Sequence, residues 1–112
     1  MEDFETKVIG DITIETVNLI RATYKEAGMF KDILLKDIKR QIKKIVVDLS
    51  QCEFIDSTFI GVLVLALKEI TKINGKLCVV SPSSTTHSIL EQTNTLRIFN
   101  VFDTLDEAIN SF

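Results

Sequence analysis

The chain has one histidine, one proline, two cysteines and four glycines among 112 residues, and these shortages close several routes. Cys52 and Cys78 do not form a metal-spaced pair, and two cysteines alone cannot frame a disulfide scaffold. They read as small reduced hydrophobes, which fits a cytoplasmic protein. The histidine, His87, lies in the hydroxyl-rich run Ser83 to Ser88, where a solvated surface residue is expected rather than a general base. Clustered metal ligands are absent, so no metal site is expected. No Gly-x-Ser-x-Gly is present, which removes the nucleophile elbow of a serine hydrolase. No Walker-type loop or dinucleotide fingerprint follows a strand, so no nucleotide enzyme and no cofactor is expected. Neither sign of charge dominates: the net charge is −3, which disfavours a nucleic-acid partner held through its phosphates. The longest uncharged apolar run, Phe59 to Leu67, falls well short of the roughly 18 residues of a membrane span. The opening Met1-Glu2-Asp3-Phe4-Glu5 is acidic and has no apolar centre, unlike a signal peptide.

What remains is an ordinary globular composition, 46% apolar and 26% charged. Residues 1–112 are read as one domain, of a size that buries roughly two-thirds of the surface of its unfolded chain. Dense β-branched residues on either side of Gly10-Asp11 predict a hairpin. Thr23-Tyr24-Lys25-Glu26 fits a capping box, and Ala27, Phe30, Leu34, Ile38 and Ile42 follow at helical spacing with lysines mainly on the other side. Ile45-Val46-Val47 has the pattern of a strand buried on both faces, with Asp48 at its end. A helix is expected from Ser57 to about Asn74, because only Gly61 interrupts it and Asn74-Gly75 supplies a stop. Lys76 to Val80 predicts a strand, Pro82 the start of a helix over Ser83 to Thr93 anchored by Ile89 and Leu90, and Leu96 to Phe102 the last strand. Thr104 and Glu107 repeat the capping logic for a final helix carrying Leu105, Ala108, Ile109 and Phe112. The order β-β-α-β-α-β-α-β-α predicts an α/β domain with a mixed, mostly parallel sheet of about five strands flanked by about four helices.

The chain is organised around Cys52 to Leu67, where Asp56, Ser57 and Thr58 precede the apolar block. Side-chain oxygens here suit a helix start, because they accept from free first-turn N–H groups. On pattern alone Ser57 needs to be no more than a cap, worth about 1 kcal/mol. Acids such as Glu53 and Asp56 are common near a helix N-terminus for dipole reasons alone. Phe59, Ile60, Val62 and Leu63 are candidates for partner contact, although core packing is the default for such a stripe. Phe59 either fills a groove of the fold or protrudes as an anchor.

Asp56-Ser57-Thr58-Phe59-Ile60-Gly61 resembles the Asp-Ser-Ser/Thr-Gly-Leu-Gly signature of STAS domains, the fold of bacterial anti-sigma factor antagonists. Ile45 to Ser50 resembles the family's preceding strand, Phe54-Ile55 its lead-in, and Asn74-Gly75-Lys76-Leu77 its next helix-to-strand joint. Two departures stand out: Phe59 replaces a usual Gly, and Arg21-Ala22-Thr23-Tyr24 replaces a Gly-x-Leu-Asp turn and so lacks its acid. The resemblance implies a STAS-like domain whose Ser57 is the phosphoacceptor, with Thr58 a possible second one and Asp56, Thr58, Phe59, Ile60, Val62 and Leu63 at the partner surface. It implies a non-enzymatic regulator that binds an anti-sigma factor, itself a serine kinase, until Ser57 is phosphorylated. A separate serine phosphatase would reset it. Two alternatives stand beside this: a constitutive STAS subunit or scaffold of a transport or stress-sensing complex, and a receiver-like phosphocarrier using Asp48.

Overall fold

The computed structural model describes residues 2–81, 88, 90–92 and 98–112. The hairpin forms as the alternation predicts: β1 (Phe4–Ile9) and β2 (Ile12–Val17) pair antiparallel with Ile9 opposite Ile12. Gly10 turns the corner at φ 62°, a left-handed conformation that suits glycine. Next come β3 (Arg21–Ala22), α1 (Tyr24–Lys39), β4 (Lys44–Asp48) and β5 (Phe54–Ile55). They are followed by α2 (Ser57–Lys72) and β6 (Lys76–Val80). Residues 88 and 90–92 are helical (α3), and β7 (Asn100–Phe102) and α4 (Leu105–Asn110) complete the order.

The main sheet has five strands in the order β1-β2-β4-β6-β7. Every pairing beyond the hairpin is parallel, as helical crossovers require. β4, in the centre, is buried on both faces: Ile45 and Val47 join the core cluster that holds the buried residues of α1 and α2, while Val46 joins the cluster with Ala108 of α4. The helices thus cover both sides of the sheet. A separate parallel ladder, β3-β5, pairs Arg21 with Phe54 and Ala22 with Ile55. Its strands are too short for alternation to reveal, and the sequence reading did not anticipate it.

Helix ends follow local chemistry. The capping box of α1 forms, with Thr23 N donating to Glu26 Oε1 at 3.0 Å and Lys25 N donating to Thr23 Oγ1 at 3.3 Å. Helix α2 ends at Lys72, and Asn74 takes the left-handed turn at φ 62°. Gly75 serves a different purpose: a Cβ there would lie 2.6 Å from Ile70 Cγ1 and 2.8 Å from Lys43 O. The glycine lets the chain pass against the end of α1's connection to β4. Thr104 caps α4 by accepting from Glu107 N at 3.2 Å. The expected roles of Pro82, His87 and Ile89, and most of the helix from Ser83 to Thr93, fall outside the described residues, as does the start of the last strand at Leu96.

Candidate functional site at the start of α2

The short ladder positions the site. Asp56 N donates to Ala22 O at 3.1 Å, which extends the β3-β5 pairing to the foot of both long helices. Asp56 is the N-cap of α2, and Oδ1 accepts from Phe59 N at 2.9 Å. Its other oxygen, Oδ2, accepts from Tyr24 N, the first residue of α1, at 2.8 Å. One carboxylate therefore satisfies first-turn donors of two helices and fixes their N-termini relative to each other.

This moves Ser57 from the expected cap to the first residue of α2. Ser57 and Thr58 are both exposed, and no hydrogen bond ties the Ser57 hydroxyl among the described residues. Glu53 is also exposed. Beside Ser57, a shallow groove runs between the helices, with Tyr24, Gly28 and Lys31 on one side and Thr58, Gly61 and Leu65 on the other. Nothing lies within 4 Å of where a Cβ would stand on Gly28 or Gly61, so both glycines leave the groove open. Tyr24 is 66% and Ile20 63% exposed. The Arg21 guanidinium lies 4.4 Å above the Phe54 ring, a cation–π contact. The sequence reading did not select Ile20, Tyr24 or Leu65. The signal for Tyr24 was its place directly after the Thr23 cap, one turn before Gly28.

The apolar candidates fall elsewhere. Phe59 and Leu63 are 0% exposed, Ile60 4% and Val62 8%, so the expected partner contacts are core residues in this conformation. The physical reason is the rotation of the helix. With α2 starting at Ser57, these positions turn toward the sheet and α1, and Ser57, Thr58 and Gly61 turn outward. Phe59 resolves its two readings by filling the interior. Its ring stacks on Phe30 at 5.2 Å, and Phe30 stacks on Phe4 at 4.9 Å.

Two neighbouring groups are chemically quiet. Burial, and secondarily the charge of Asp48, push the Cys52 thiol up to about 12, so it stays protonated and is a poor nucleophile. Neither Cys52 nor Cys78 forms a disulfide. Asp48 is 8% exposed, and its Oδ1 accepts from Ser50 N at 3.0 Å and from the Ser50 hydroxyl. A strand-end acid held inside a turn does not present itself for phosphotransfer. Among the described residues, no helix is long and apolar enough to cross a membrane.

A mixed, mostly parallel sheet covered on both sides by helices, with an exposed hydroxyl at a doubly anchored helix start, defines a single-domain α/β protein. The comparisons give the family: residues 5–108 match the STAS domain model, and the chain belongs to the STAS domain family. A Thermotoga neapolitana protein named as a candidate anti-sigma factor antagonist is 32% identical over 107 residues, covering 95% of this chain and 94% of that protein. A Thermotoga maritima protein of the same description is 33% identical over 107 residues, with the same coverage of 95% and 94%. A crystal structure of such a Thermotoga maritima protein superposes with a TM-score of 0.89 at 32% identity, covering 96% of this chain and 92% of that one. The anti-sigma factor antagonist SpoIIAA in its unphosphorylated form shares the fold, with a TM-score of 0.75 at 15% identity and coverage of 96% of each chain.

Proposed function

We propose that this chain is a phosphorylation-switched anti-sigma factor antagonist, a binding protein and not an enzyme. With Ser57 unmodified, it sequesters an anti-sigma factor that is also a serine kinase. Phosphorylation of Ser57 by that kinase ends the complex, and a serine phosphatase restores it. Thr58, exposed beside it, is the second candidate acceptor.

The observation that carries this reading is the exposed, unbonded hydroxyl of Ser57, next in the chain to Thr58 of the groove that the exposed Tyr24 also lines. A phosphate there adds about −1.5 to −2 charges at a helix N-terminus, which the helix tolerates but an apolar partner face does not. The partner surface comprises Asp56 and Thr58 from the signature, with Tyr24, Ile20 and Leu65 supplying the apolar contact first sought in the buried four.

The test is incubation with ATP and the kinase encoded nearest to it, phosphate mapping by mass spectrometry, and binding assays on Ser57→Ala and Ser57→Asp. Phosphate on Ser57, retained binding by the alanine variant and weakened binding by the aspartate variant are expected. Equal affinity of the two variants for the kinase, or a stable partner indifferent to ATP, would favour a constitutive scaffold instead.

A further inference from the structure

On the other flank of α1, helix and sheet meet over two acids that the proposed switch does not use. Glu15 of β2 is 1% exposed and Asp37 of α1 is 7% exposed. Strand alternation places Glu15 on the same face as Val17, which belongs to the core cluster under α1. Its Cα partners on the adjacent strands are Thr6 of β1 and Val47 of β4. Thr6 Oγ1 donates to Glu15 Oε1 at 2.5 Å. Glu15 Oε2 and Asp37 Oδ2 are both buried and have no donor among the described residues.

Among the described residues, the surroundings supply no positive charge. On β1, Thr6 faces the pair, and the exposed Glu5 and Lys7 alternate to the opposite face. β2 adds Thr13 and Val17, and β4 adds Val47. Along α1, Ile33, Leu34 and Ile38 surround Asp37, whereas Lys36 and Arg40 are exposed. The buried residues of α2 are apolar. Burial first, and then the neighbouring Asp37 carboxyl, raise Glu15 to about 8, against a smaller opposing effect of Thr6. Two adjacent carboxylates without cations cannot both stay charged cheaply in such a place, and one proton between them gives both orphan oxygens a partner.

We propose that Glu15 and Asp37 are a proton-operated latch: a proton held between their carboxyls seats α1 on the sheet, and its loss in mildly alkaline solution loosens that seat. The helix involved is the one that carries Tyr24 and Gly28 into the groove, so the latch ties the groove's geometry to pH. The inference does not depend on phosphorylation or on any partner.

Urea unfolding of the whole chain between pH 5 and 9 tests it, together with the Glu15 carboxyl carbon signal followed by NMR over the same range. The folding equilibrium is expected to weaken with rising pH by up to about tenfold per unit up to pH 8 and then level off. Glu15→Gln is expected to flatten that dependence. In Asp37→Asn, the Glu15 carboxyl signal is expected to titrate at a lower pH than in the unmodified protein. A wild-type midpoint constant from pH 5 to 8, or a Glu15 signal that titrates in the ordinary glutamate range, overturns the latch. The NMR titration of the unmodified protein decides the matter even if both variants fail to fold.

Discussion

Two carboxyl sites packed against α1 contrast with each other. At its N-terminus, both oxygens of Asp56 accept N–H groups, one from each helix. At its C-terminal half, Asp37 and Glu15 each keep a buried oxygen with no donor among the described residues. Backbone N–H groups at helix starts are fixed donors, so they can hold an acid without a proton. Mid-strand and in the last turn of a helix, the backbone donors are already used, and an acid pair must bring its own proton. The first arrangement gives a rigid joint beside the candidate switch. The second gives a joint that depends on the solution.

The largest effect should come from the packing both joints serve. Phe59→Ala removes a fully buried ring stacked on Phe30, and the expected cost is about 3–5 kcal/mol, read as a lowered urea midpoint. If the variant retained its stability and lost only partner binding, the assignment of Phe59 to the core would fail, and with it the division between core and surface on α2.

The acid pair should come next. Glu15 ionises near 4.5 in the unfolded chain and near 8 when folded. Below about 4.5 both states hold the proton and nothing is lost; between the two values only the folded state holds it, so stability falls as pH rises. By pH 7 the loss approaches about 3 kcal/mol relative to pH 4.5. Glu15→Gln should remove that slope, and a slope unchanged in the variant would assign it to other groups. Asp11 provides a contrast: it lies 2.7 Å from Lys44 and is held below the ordinary carboxylate range chiefly by that hydrogen bond. Both groups are exposed enough that screening leaves the pair little weight.

Asp56→Ala should cost about 1–2 kcal/mol, because it leaves first-turn donors of both helices without their acceptor. Amide exchange at Tyr24 and Phe59 is the direct reading. Both amides should exchange faster together, since one side chain holds both. Acceleration at Phe59 alone would mean that the link to α1 contributes nothing and that the helices are joined only by their packed faces.

The sequence made the local events legible and left the meetings between distant segments obscure. The capping box at Thr23, the doubly buried run Ile45 to Val47 and the stop after α2 each rest on a few adjacent residues, and each forms. The stretch from Phe59 to Leu67 is apolar nearly all round, so its period could not say which side faces in. The answer came from Phe30 and Phe4, both remote in sequence. In sequence, Glu15 is one polar position within a β-branched strand. Its pairing with Asp37 depends on a residue from another element, and no spacing encodes that. The same holds for the groove, where Gly28, a poor helix former taken alone, forms an open wall opposite Gly61.

The smallest effect on stability should come at the position most telling for function. Tyr24 is 66% exposed, so Tyr24→Ala should change stability by no more than about 0.5 kcal/mol. Its amide still donates to Asp56, because that bond uses the backbone. An exposed aromatic at the lip of a groove is the kind of side chain that anchors an interface, and its truncation should weaken binding of the proposed anti-sigma partner by about 1–2 kcal/mol, roughly five- to thirtyfold. Paired measurements separate the alternatives. Unchanged stability with weakened binding places the partner on the groove between the helices. Unchanged binding would remove Tyr24 from the surface and leave the partner to the opposite side of Ser57, around Ile20 and Arg21.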